Sequence, residues 1–315
     1  MYDVSVLAQS SLTADPFRFA WHPEVWLLVA SLIGAYVYMV RVIGPHAVAV
    51  GVPAVTPRQW CYFGAAMLML WAASDWPLHD LGEQYLYSAH MLQHMVLSYF
   101  LPPLALLATP AWLLRSLIGN GRLYGAVRWL CHPVAAGVIF NLAVMVTHVP
   151  GVVNASIENG PLHYGLHALV VVTSLLMWMP VVGPFEELRL GPGGKCVYLF
   201  LQSIVPTVPA GWLVFAEGVV YKHYGEQPVR VWDISPTDDQ QFAGAIMKIG
   251  GGMFLWAVVV YVFFTKFASS YSESHDYRRG VRMPTAEITG HDEAPLTTAD
   301  VEREFARVPA TPEPD

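Results

Sequence analysis

The sequence predicts an all-α polytopic membrane protein, a helix bundle of seven transmembrane helices with the N-terminus outside and the C-terminus in the cytoplasm. Three observations lead there. Hydrophobic residues make up 55% of the 315 and charged residues only 13%, about half the ~25% of an ordinary soluble domain. Seven stretches approach the roughly 20 apolar residues that cross a hydrocarbon core. Lys and Arg gather in alternate loops, which is how orientation is read.

The apolar stretches run roughly from Val25 to Gly44, Gln59 to Trp76, Tyr85 to Leu107, Pro133 to Val149, Leu162 to Val182, Cys196 to Ala216 and Phe242 to Phe267. The fourth is short and is expected to begin near Trp129. The third holds Pro102-Pro103, and the sixth holds Pro206 and Pro209. Proline lacks the N–H that a helix interior needs, so both are expected to kink there. The freed carbonyls must then face protein or water rather than lipid.

The basic loops carry Arg41 and Arg58; Arg115, Arg122 and Arg128; Arg189 and Lys195; and finally Lys266, Arg278, Arg279 and Arg282. Between them lie Asp75, Asp80 and Glu83 without a base, then Glu158, then a mixed loop with Lys222 and Arg230. The chain thus divides into an extracytoplasmic segment, 1–24, a transmembrane domain, 25–268, and a mostly disordered cytoplasmic tail, 269–315. That tail is polar and acidic, with a short helix expected near Thr298 to Arg307. The opening MYDVSVLAQSS lacks the basic start and apolar run of a cleavable leader.

The net charge is −7, but much of the acid lies in the last quarter of the chain, so the charge says nothing about nucleic acid; the expected partner is membrane lipid, with no nucleic acid. Cys61, Cys131 and Cys196 form no CxxC pair and imply neither a disulfide framework nor a thiolate metal carrier.

Chemistry concentrates in histidine. With the topology drawn, His22, His79, His90, His94, His148, His163, His167 and His223 fall on the outer side, eight of the twelve in the chain. His90/His94 and His163/His167 are each spaced i, i+4, so each pair shares a helix face. Polar groups in a bilayer are costly and usually functional, and neutral imidazole is the commonest ligand for Cu, Zn, Fe and Ni. His90, His94, His148, His163 and His167 are therefore the candidate metal ligands, with His79 in reserve. No Glu follows the first His of either pair, which excludes an HExxH protease. Met91 and Met95 flank the first pair, and thioethers favour Cu(I). Asp239, at the start of the last span, is placed to cap that helix or to orient an imidazole. Against these stand plainer roles: hydrogen bonds between helices for the histidines, gap-filling for the methionines.

Three strings, SAHMLQHMVLSYFLPPLALLATP, THVPGVVNASIENGPLHYGLHALVVVTSLLMWMPVVGP and YGEQPVRVWDISPTDDQQFAGAIMKIGGG, resemble the CtaG-type cytochrome c oxidase assembly factors. The resemblance runs from about Trp21 to Phe267. It departs where Thr147 replaces a tryptophan and Lys248 an aromatic. The thiolate copper carrier that shares the CtaG name is a different family, with a paired-cysteine motif absent here. The resemblance implies a non-enzymatic, seven-span factor of the bacterial plasma membrane that assists oxidase maturation, with copper delivered to the copper-B centre. The implied partners are the oxidase catalytic subunit or other respiratory-complex subunits. Three other functions remain open on the residues. Histidines of the third and fifth spans could ligate haem; the chain could transport an ion, although no polar relay continues inward past His94; or it could be a structural subunit.

Overall fold

The computed structural model of the chain describes residues 15–280 and Thr298. Its regular elements are helical, with no strand among the described residues. Seven long helices coincide with the seven apolar stretches. They are α1 (Pro23–Ala47), α2 (Pro57–Ser74), α3 (Tyr87–Ala108), α4 (Pro133–Thr147), α5 (Gly160–Val182), α6 (Pro192–Phe215) and α7 (Pro236–Lys266). The helical backbone of α7 runs on to Gly280. The short helix expected near Thr298 to Arg307 lies, Thr298 aside, outside the described residues.

Five of the seven, α1, α3, α5, α6 and α7, are long and apolar enough to cross a membrane. A sixth arises if α4 is taken with the helix Arg122–Leu130, from which it bends by 70°. The expected count of seven is therefore not reached by length and composition alone. With 15 residues, α4 rises only about 22 Å at 1.5 Å per residue, short of a ~30 Å hydrocarbon core. α2 has 18 residues, but its first turn is Pro57-Arg58-Gln59-Trp60.

Local chemistry sets the starts. Six of the seven helices, α3 excepted, carry proline in their first two positions, where its missing N–H costs nothing. α2 adds a capping box between Thr56 and Gln59. The prolines inside α3 and α6 behave differently. α3 passes through Pro102-Pro103 without a break, because its preceding turn, Val96–Phe100, widens into a π-helix. The carbonyl of Ser98, which Pro102 leaves without its helical donor, accepts the indole N–H of Trp178 at 3.1 Å. α6 does break, between Ile204 and Thr207, and there the Thr207 hydroxyl donates to the Ser203 carbonyl at 3.3 Å. The Ser98 carbonyl thus meets protein, as the low dielectric demands.

α3 is the hub. It packs against α2, α5 and α7, while α1 leans on α2, α4 on α5 and α6 on α7. Its residues Tyr87, Met91, Met95 and Tyr99 enter one core with Phe140, Met177, Trp178, Leu213 and Met247. The approach of α7 to α6 requires a glycine: a Cβ at Gly244 would sit 2.8 Å from the backbone oxygen of Ala210. Gly244→Val is therefore expected to force the two helices apart at a cost of about 1–3 kcal/mol. A lowered midpoint in a detergent thermal melt would register it, whereas an unchanged one would show that the helices can slide.

Candidate metal centre

The antiparallel order brings the N-termini of α1, α3, α5 and α7 and the C-terminus of α4 to one end of the bundle. α3 begins there with no cap from its own sequence: Leu86 precedes it in extended conformation and offers no side-chain acceptor. Asp239 of α7 supplies the cap from across the bundle. Its carboxylate accepts the backbone N–H of Tyr87 at 2.6 Å and of Ser88 at 3.1 Å, together with the Ser88 hydroxyl. An anion at a helix N-terminus is favoured by the dipole and by the unpaired donors. The expectation for Asp239 is corrected accordingly: the cap of α7 is Ser235, which accepts the N–H of Asp238 at 3.1 Å, and Asp239 holds α3 rather than an imidazole. Neighbouring Gln240 is also buried, accepting the Val220 N–H at 2.7 Å and donating to the Leu213 carbonyl at 3.2 Å.

So fixed, α3 turns His90 and His94 toward α5. Their ring centroids lie 4.5 Å apart, and those of His163 and His167 on α5 also 4.5 Å. His167 stands 5.6 Å from His90 and 5.0 Å from His94. One nitrogen from each of His90, His94 and His167 lies within 4.8 Å of the others. Metal–nitrogen bonds are about 2.0–2.1 Å, so small side-chain movements would let this trio hold one ion.

The five predicted ligands are thus brought together but do not form one shell. His148 borders the trio, 6.3 Å from His94 by centroid. Its Nδ1–H donates to the Val144 carbonyl at 2.6 Å, which leaves Nε2 with a free lone pair, the arrangement expected of a metal-binding imidazole. His163 groups instead with His79 and with Glu83, a residue the sequence reading passed over as part of an acidic loop. Glu83 stands four residues after His79, a spacing that could have revealed it. Also missed was Gln93, fully buried on α3, whose amide meets His79 Nδ1 at 3.1 Å.

Met91 and Met95 do not line the cavity between the histidines, which His90, His94, His163 and His167 share with Thr147, Ser156 and Tyr224. One residue along a helix is a 100° rotation, and both thioethers enter the central core; the Met95 sulfur lies 3.2 Å from where a Cβ of Gly251 would stand. The tilt toward Cu(I) drawn from the methionines loses its support.

At the mouth, His22 joins the chain of imidazoles, 5.3 Å from His79 by centroid, and contacts Asp80 at 3.0 Å and Glu24 at 3.4 Å. Partial burial works against its charged form, but the two carboxylates outweigh that and raise its pKa. Glu83 is held below the usual carboxylate range, chiefly by its hydrogen bond with His79. His223 meets the Glu83 backbone carbonyl at 3.2 Å.

The family model described as cytochrome c oxidase caa3 assembly factor (Caa3_CtaG) matches residues 34–269. The chain belongs to that family. The matched region of this assembly factor contains His79, Glu83, all five predicted histidines and Asp239, and leaves out His22. No curated protein and no solved structure matches the chain.

Proposed function

We propose that this oxidase assembly factor is a non-enzymatic metallochaperone that holds a copper ion among His90, His94 and His167, with His148 at hand. The copper is cargo, destined for the copper-B centre of the oxidase catalytic subunit. One observation carries the reading: His90 Nδ1, His148 Nε2 and His167 Nε2 are all buried without a hydrogen-bond partner. Each such atom costs about 1–3 kcal/mol, and a bound ion would satisfy several at once. A three-nitrogen set with loose spacing suits an ion that must later be released. The histidine end is read as extracytoplasmic from the basic loops opposite, and α2 and α4 as crossing within a seven-helix bundle of the bacterial plasma membrane.

Haem is the weaker reading. The cavity between the imidazoles is about 10 Å³, close to the least that admits one water, and room for an ion rather than a macrocycle. The two are separated by metal analysis and an absorption spectrum on detergent-purified protein given one equivalent of Cu(I), beside a His90→Ala/His94→Ala variant. The expected result is about one copper per chain in the parent, lost in the variant, with no Soret band. No retained copper would remove the proposal, and a haem band would replace it with the alternative.

A further inference from the structure

We propose a second, separate metal site at the mouth of the bundle, built from His79, Glu83 and His163 and suited to a divalent ion of borderline hardness such as Zn²⁺ or Cu²⁺. This inference extends the copper reading but does not depend on it. One ligand atom from each of the three lies within 4.8 Å of the others. His79 Nε2 already meets Glu83 Oε2 at 3.3 Å, and His163, 2% exposed, leaves its Nε2 unpartnered. Two imidazoles and a carboxylate are a ligand set that such ions accept, and catalytic zinc often sits among His₂Glu with one position left open.

Two further features fit. The acids gathered here, Glu24, Asp80 and Glu83, attract a cation, and Glu83, 27% exposed, gives access from the surface. Gln93 meanwhile suits His79 to either state. With its amide N–H₂ toward His79 Nδ1, the imidazole carries its proton on Nε2 and donates to Glu83. With the amide turned over, Gln93 Oε1, otherwise unpartnered, accepts an Nδ1–H, and Nε2 presents a lone pair to the ion. The ion thereby takes the place of the proton between His79 and Glu83, while the amide fixes the tautomer, as partners of metal-bound histidines do. The His163 ring lies against that of His167 of the inner trio, tilted by 32° at 4.5 Å between centroids, so the two sites are neighbours along α5.

Equilibrium dialysis of the purified full-length chain against Zn²⁺, read by elemental analysis, tests the inference. Glu83→Gln preserves shape and removes the charged ligand; His79→Gln is the second variant, and His94→Ala reports the inner trio. The expected result is about two ions per chain in the parent and one fewer in Glu83→Gln and in His79→Gln. His94→Ala should also lose one, and the Glu83→Gln/His94→Ala combination both. Should the inner trio bind no Zn²⁺, the parent holds one ion, His94→Ala keeps it and Glu83→Gln loses it; the outer site then stands, and the copper reading is decided by the Cu(I) loading alone. Parent stoichiometry in both Glu83→Gln and His79→Gln overturns the proposal. So does loss of every ion in variants that elute and melt as the parent does, since the sites would then not be separate.

Discussion

A His94→Ala chain is expected to accumulate in the membrane as the parent does, yet to leave its partner oxidase short of copper. His94 lies between His90 and His167, so its loss reduces the trio to two nitrogens. Removing even an outer partner of a metal ligand weakens affinity roughly 10–100-fold, and loss of a ligand itself should exceed that. The check is the copper content and turnover of oxidase purified from a strain carrying the variant. Full copper and normal activity would end the ligand role for His94 and favour a cluster that merely packs.

Asp239→Ala is the second large effect, and it acts on the fold beneath the site. The carboxylate is 3% exposed and takes both backbone donors at the first turn of α3. Alanine leaves those N–H groups buried without acceptors, at about 1–3 kcal/mol each, and frees the end of the helix that carries His90 and His94. Thermal stability in detergent should fall by an amount consistent with about 2–6 kcal/mol, and metal binding should weaken with every candidate ligand intact. Asp239→Asn keeps one acceptor oxygen and is expected to fall between. Unchanged stability in the alanine variant would mean that another group takes over the cap.

These two outcomes also mark what the chain reveals in one dimension. The helices were legible because apolar runs and helix-starting prolines are local signals, and the two histidine pairs were legible because an i, i+4 spacing is decided within one helix. The division of those histidines was not. Whether His163 turns to His167 and the trio or to His79 depends on how α5 is rotated against α3 and on a loop whose Glu83 reads as ordinary acid. Asp239 was visible as a buried-end carboxylate, but its partner lies some 150 positions away in sequence. For Met91 and Met95 the plainer role, filling the core, is the one the rotation of a helix favours, since each is turned about 100° from the neighbouring histidine. Five helices, or six if the bent pair before and within α4 is one span, are long and apolar enough to cross a membrane, because α2 falls short in apolarity and α4 in length.

The widened turns of α3 and α7, Val96–Phe100 and Ile246–Gly251, act as phase shifters. A π turn holds one residue more than its α counterpart, so everything beyond it is offset by about 100° from the face an unbroken helix would present. In α3 this unlinks the stripe that carries the imidazoles from the half that packs through Pro102 and Leu106. Each half can then be tuned by substitution without turning the other out of register. A single-residue deletion inside the turn would do what no point substitution there can: restore the regular winding while leaving the two halves in the register they already hold, because the residue removed is the one the wider turn absorbs.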